Sequence, residues 1–349
     1  MKKKTNITID DIAVMAGVSK TTVSRYINGK FEYMSAETRE KIKDIIKQYN
    51  YIPSNVARSL KTKTTKLIAF IVADIENAFA APTIKAMNES LFDSSYHIVV
   101  SSSNDSILRE KQLIESVLEQ RVDGILLNAV NYDAPHLTEM NIDVPLILVD
   151  RRVKGFSVDF VGTNSVKSIH DAVSHLKMQG YNDVHIITED FSSIEPRFRR
   201  VEGFKDMMIN YGYTEEQLDK NFIHVIDGKN DALNVVGRIV GKNSSGVPAI
   251  ICTNGRTSLK VAKAIKDLDL RMPFEIGLVS YDDFGNNNSY GWTQLNSPSI
   301  TRLSPNWYQT GYKAMELLKS RLENPNGPKK DIKVDVILIE DGSTKLRGF

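Results

Sequence analysis

The chain has 349 residues, 25% of them charged, with a formal net charge of +2 and a single cysteine, Cys252. One thiol excludes an internal disulfide and a multi-cysteine metal site, and no apolar run approaches the roughly 20 residues of a membrane span. The lysine-rich start "MKKKTN" has no apolar stretch behind it, so a cytoplasmic location is expected.

The near-neutral total hides a split. From Met1 to Lys66 there are 14 Lys and Arg against 6 Asp and Glu, a net of +8, while the remaining 283 residues carry a net of −6. A basic end of that size points to a polyanion partner.

In chain order, "ITIDDIAVMAG" sets Ile9, Ile12, Ala13 and Ala16 at helical spacing, with Thr8 as the N-cap, Asp11 three residues on and Gly17 as the stop. The break at Gly17 and Val18 has the length of a helix-turn-helix turn. Ser19 then caps a second helix, "KTTVSRYI", whose inner face is Val23, Tyr26 and Ile27; Lys20, Thr21, Thr22, Ser24 and Arg25 are left outside. A third helix, capped by Ser35, is amphipathic through Ile42, Ile45, Ile46 and Tyr49. Three short helices close a small core and present a basic, hydroxyl-rich helix, which suits double-stranded DNA.

The following segment, Tyr51 to Lys66, contains no glycine. "SNVARSL" can form two helical turns but is too short to be stable alone, so ordering on binding is expected. Ala57 and Leu60 share one face there, and an exposed leucine flanked by Arg58, Lys61 and Lys63 can wedge into a minor groove.

The body repeats one rhythm: a branched apolar run, then an amphipathic helix. "LIAFIVADI" (67–75), "YHIVVSSS" (96–103), "VDGILLNAV" (122–130) and "VPLILVDRR" (144–152) form one set. "DVHIITE" (183–189), "NFIHVID" (221–227), "AIICTNG" (249–255) and "IGLVSYDD" (276–283) form another. Near-continuous apolar strands alternating with helices imply two doubly wound parallel sheets in an α/β body. The strands hand over to polar clusters, among them Asp74 and Asn77, Asn128, Asp150 and Arg151, Glu189, Asn254, and Asp282 with Asp283. Ligands of such sheets bind beyond the carboxyl ends, so a cleft for a sugar-like solute is expected between two facing halves.

Catalysis finds little support. The six histidines show no metal-ligand spacing, and "TNGRTSLK" lacks the spacing of a phosphate loop. Asp282 and Asp283, if extended, point to opposite sides and make no acid/base pair. A periplasmic-type solute-binding protein has the same body, yet it has no use for a basic helix-turn-helix.

Together these stretches resemble the lactose-repressor (LacI/GalR) family of bacterial transcription regulators over essentially the whole chain. The likeness rests on "ITIDDIAVMAGVSKTTVSRYINGK", "YIPSNVARSLKTKTTKLIAF" and "IGLVSYDD" before "PSITRL". Within the family it is greatest to the repressors of 2-keto-3-deoxygluconate genes, through "TTVSRYINGK", "SSIEPR" and the "TNG" of residues 253–255. The resemblance implies base reading by Lys20, Thr21 and Arg25, phosphate contacts by Ser19, Thr22, Ser24 and Asn28, and minor-groove insertion by Leu60 beside Ala57. It implies effector contacts from Asn77, Phe79, Asn128, Asp150, Arg200, Asn254 and Asp282. It also implies a homodimer, with contacts from helices near 78–92 and 106–120, and no cofactor, metal or catalytic residue. The expected organisation is a DNA-binding domain at 1–52, a hinge at 53–66 and a body at 67–349. The body's first half would span about 67–162 and 294–324, and its second about 163–293 and 325–349.

One departure bears on the ligand. Where family members commonly have Asp after the strand asparagine, this chain has Gly255 and Arg256, and "EPRFRR" supplies Arg197, Arg199 and Arg200. Losing an acid while gaining cations favours a sugar acid such as 2-keto-3-deoxygluconate, to which Arg197 and Arg200 would turn from one helix face. A neutral sugar, a phosphosugar or a corepressor is the alternative.

Overall fold

The computed structural model describes residues 7–51, 64–227, 231–241, 246–283 and 291–346. The chain divides into two compact units, 1–65 and 66–349.

The first unit holds α1 (Ile9–Ala16), α2 (Lys20–Ile27) and α3 (Ala36–Gln48). Each begins where a side chain satisfies an otherwise unpaired amide. Thr8 and Asp11 exchange bonds in a capping box, Ser19 Oγ accepts from Thr22 N at 3.1 Å, and Ser35 Oγ accepts from Thr38 N at 3.1 Å. Gly17 ends α1 at φ 69°, a left-handed conformation that costs glycine little. Ile12, Ala13, Ala16, Val23 and Ile42 are buried at the centre. Tyr49, expected on the inner face of α3, is exposed, because the helix stops at Gln48. Asn50, at φ 47°, then turns the chain so that Tyr51 packs on the core instead.

In the body the elements run β1 (Leu67–Val72), α4 (Ala80–Ser90), β2 (His97–Ser102), α5 (Ile107–Glu119), β3 (Gly124–Leu127), α6 (Pro135–Glu139), β4 (Leu146–Val149) and β5 (Asp159–Thr163). Then come α7 (Ser165–Gln179), β6 (Asp183–Thr188), α8 (Glu195–Asn210), α9 (Glu215–Asn221), β7 (Ile223–Val225), α10 (Ala232–Gly241), β8 (Pro248–Cys252), α11 (Gly255–Asp267) and β9 (Gly277–Tyr281). The last are β10 (Thr301–Pro305), α12 (Trp307–Glu323), β11 (Asp331–Val334) and β12 (Val336–Ile339).

Two six-stranded sheets result, ordered β11-β5-β4-β3-β1-β2 and β12-β10-β9-β8-β6-β7. All pairings are parallel except β12 with β10. The chain passes between the sheets after β5, after β10 and after β11. These passages differ from the expected halves. β10 belongs to the second sheet, paired with β9, although 294–324 was assigned to the first half; β11 belongs to the first sheet, paired with β5, although 325–349 was assigned to the second. Both strands are short and carry polar residues, so their place follows from backbone pairing rather than from an apolar run. Helix α12 does return to the first half, where Gly311 allows a close approach: a Cβ there would meet Thr83 O at 2.5 Å.

Candidate DNA interface and effector cleft

In the small unit the residues expected at DNA lie on one helix and its caps. Ser19, Lys20, Thr21, Arg25 and Asn28 are exposed, and Thr22 and Ser24 are half-buried. Some of their polarity is used at home. Ser19 Oγ lies 3.0 Å from Thr22 Oγ1, Asn28 Nδ2 donates to Ser24 O at 2.7 Å, and Lys20 Nζ meets Asp10 at 2.8 Å. With both partners more than 60% exposed, the Lys20–Asp10 pair is weak and easily exchanged for a phosphate. Arg25 lies 4.8 Å over the ring of Tyr33, and Arg39 4.0 Å over that of Phe31. The aromatic turn Phe31–Tyr33 thus supports two arginines, a role that spacing alone did not signal. Ala57 and Leu60 lie outside the described residues.

The body has a cleft lined by Asn77, Phe79, Asp150, Arg151, Ile194, Pro196, Arg197, Arg200, Asn254, Gly255, Tyr281, Asp282 and Trp307. About 440 Å³ lies between these residues, open solvent at the mouth included. Every lining segment lies at or beyond the carboxyl end of a strand: β1 and β4 of the first sheet, β6, β8, β9 and β10 of the second.

Two carboxylates face the cleft from corresponding places. Asp150 follows β4 at φ 66°, and Asp282 follows β9 at φ 67°, so neither continues its strand. Their environments differ. Asp282 Oδ2 accepts from Trp307 Nε1 at 2.5 Å and Oδ1 from Asp283 N at 2.7 Å, which engages both oxygens. Asp150 Oδ1 is buried with no partner. Loss of water pushes the Asp150 pKa up to about 6, against the lowering pull of Arg200 and Arg151.

The cations also divide. Arg200 is 5% exposed; its Nη1 donates to Thr253 O at 2.7 Å and its guanidinium lies 3.6 Å over the Tyr281 ring, yet its Nε has no partner. Arg197 lines the cleft but is held by Glu189 at 2.9 Å and by Asp190 O at 3.0 Å. Arg199 points away, to Glu195 and Glu202. Asn254 caps α11 by accepting from Thr257 N at 2.9 Å and leaves its Nδ2 buried without a partner, as is Tyr281 Oη. Phe79 and Trp307 pack edge to face at 5.3 Å and form an apolar wall.

Asn128 is the expected effector residue that the structure does not bring to the cleft. Its Oδ1 accepts from Ala73 N at 3.3 Å and its Nδ2 donates to Val149 O at 3.0 Å, so it ties the ends of β1 and β4 together from behind. Arg151, one of the polar residues at the strand ends, lines the cleft, and so do Ile194, Pro196, Tyr281 and Trp307, which the sequence did not point to. Tyr281 and Trp307 carried no signal, since an aromatic in a strand or at a helix start reads as core.

The cleft therefore offers unpaired donors beside the positive end of a 13-residue helix, one unpaired carboxylate oxygen and an aromatic wall. Among the described residues no group of three His, Cys, Asp or Glu is placed to hold a metal, and no helix is long and apolar enough to cross a membrane.

A two-lobed small-molecule-binding body in a chain with a capped helix-turn-helix defines a ligand-responsive DNA-binding regulator. The chain belongs to the lacI family of bacterial regulatory proteins: that family's model matches residues 8–54, and a periplasmic binding protein-like domain matches 173–344. It is 33% identical to the HTH-type transcriptional regulator KdgR of Bacillus subtilis (strain 168), over 97% of this chain and 98% of that one. It is 30% identical to the HTH-type transcriptional repressor PurR of Pasteurella multocida, over 97% and 99%. A lac repressor dimer bound to operator and an anti-inducer shares the fold, with a TM-score of 0.80 at 22% identity over 97% of this chain and 99% of that one.

Proposed function

We propose that the protein is a homodimeric repressor of carbohydrate-catabolism genes, released from its operator by a sugar acid such as 2-keto-3-deoxygluconate. The observation that carries the ligand class is the pair of buried, unpartnered donors, Arg200 Nε and Asn254 Nδ2, at the start of α11. A carboxylate satisfies both and gains from the helix end, while Asp150 Oδ1 accepts from a sugar hydroxyl. Similarity to KdgR supports this reading. Lys20, Thr21 and Arg25 read base edges, with Ser19, Thr22, Ser24 and Asn28 on phosphates; Ala57 and Leu60 act in the minor groove. The exposed Phe92, Ile107 and Leu108, beside α4 and on α5, support a dimer face on the first half of the body.

Titration calorimetry with 2-keto-3-deoxygluconate, gluconate, glucose and hypoxanthine tests the ligand, and operator release tests the response. The sugar acid should bind best and lower operator affinity. Tighter binding of hypoxanthine, with operator affinity raised, would establish a corepressor reading instead.

A further inference from the structure

Arg256 is the second residue of α11, the helix whose start lines the cleft. A cation is disfavoured there, because unpaired amides make that end of the helix positive. Its Nη2 reaches 2.8 Å to Oδ2 of Asp74, which follows β1 in the other half of the body. Asp74 is set independently of that contact: its Oδ1 accepts from Glu76 N at 2.9 Å and its carbonyl from Asn77 N at 3.3 Å. The same turn leads to Asn77 and Phe79, and Asn77 Oδ1 accepts from Phe79 N at 3.3 Å. Neither Asp74 nor Arg256 lines the cleft, yet each adjoins a segment that does. Separating the halves would take Asp74 from Arg256 and leave it, at the wrong end of a helix, the more distant pull of Glu189 on its own half. The halves also meet where Tyr132 N donates to Ser193 O at 2.7 Å and the Tyr132 and Phe198 rings lie 5.0 Å apart, and Asp105, in the same half as Asp74, adds to the pull on Arg256.

We propose that Asp74 and Arg256 are positioning residues that form an ionic clasp across the cleft, holding the Asn77–Phe79 segment against the start of α11 in the arrangement that grips the effector. This rests on the effector reading of the cleft. The clasp puts ionic strength in control of closure, and it makes Arg256, unlike Arg200, a residue that acts on the ligand through its neighbours.

The test uses the full chain and an indole already in place. The sequence has two tryptophans, and Trp292→Phe leaves Trp307, on the cleft wall and 6% exposed, as the sole reporter. In that background Asp74→Asn, which keeps an acceptor for Glu76 N, and Arg256→Gln should each raise acrylamide quenching of Trp307. Each should weaken 2-keto-3-deoxygluconate binding by about twofold to fivefold, the range of a partly exposed ion pair. The double variant should be no worse than either single one. About 0.5 M NaCl, which shortens the screening length to roughly 4 Å, should bring the parent's quenching to that of the variants and leave theirs unchanged. Unchanged quenching in either single variant, or losses that multiply in the double variant, would overturn the clasp. If 2-keto-3-deoxygluconate binds no form, the effector proposal fails while the quenching and its salt response still decide the clasp.

Discussion

The two units keep their ligand-facing groups in opposite conditions. On α2 and its caps most candidate contacts are exposed, with Thr22 and Ser24 half-buried, and Lys20 waits on a weak surface pair. In the cleft, Asp150 Oδ1, Arg200 Nε, Asn254 Nδ2 and Tyr281 Oη are buried without partners. A hydrated group costs the free protein little, and its interactions are screened by salt; a buried unpaired one costs stability until a ligand satisfies it. DNA affinity should therefore fall far more steeply with ionic strength than effector affinity, which should also be coupled to folding and pH.

The largest effect expected from this contrast is on operator binding. If each dimer neutralises 6–10 phosphates, affinity should drop by about 10³–10⁵ between 50 and 200 mM salt, and far less for the effector. Filter binding and calorimetry over the same salt series measure both, and parallel slopes would remove the distinction.

Next comes Arg200→Ala, which deletes a charge-assisted contact inside the cleft. Effector affinity should fall by about 1.5–3 kcal/mol, enough to abolish release at modest concentrations, while operator affinity without effector is retained. A loss of operator binding as well would mean that the change had disrupted the body.

Asp150→Asn sharpens the comparison through pH. The folded carboxyl, with a pKa raised to about 6, holds a proton that the unfolded chain has released, so rising pH destabilises the parent between about 4 and 6. The penalty is absent below that window and complete above it. The variant should be more stable than the parent by about 3 kcal/mol at pH 7.5 and nearly equal to it at pH 4, read from urea unfolding. A constant difference at both pH values would show that the carboxyl titrates normally.

The smallest effect belongs to the exposed side. Asp10→Asn removes the partner of Lys20, and stability should change by less than about 0.5 kcal/mol. Operator affinity should hold or rise slightly, since Lys20 is released toward phosphate; a marked loss would show that Asp10 positions Lys20.

Local chemistry alone determined the small unit and the strand rhythm of the body. Thr8, Gly17, Ser19 and Ser35 act on amides or carbonyls a few residues away, so their caps are visible in sequence. The eight apolar runs are strands because a parallel sheet covered on both faces must be apolar throughout. Asp150, Arg200, Asn254 and Asp282 come from strand ends and family likeness and Arg197 from its place one helix turn before Arg200, and all five side chains line one cleft. Tertiary structure decided the rest. Whether a polar group is spent or left waiting depends on partners far off in the chain: Ala73 and Val149 occupy Asn128, Trp307 occupies Asp282, and among the described residues nothing occupies Asp150 Oδ1. The same holds for β10 and β11, whose sheets are chosen by hydrogen bonding to β9 and β5, and for Arg256, whose partner Asp74 lies 182 residues away. Caps and periodicity are interactions between near neighbours, while burial and pairing across a cleft are set only when the chain has folded back on itself.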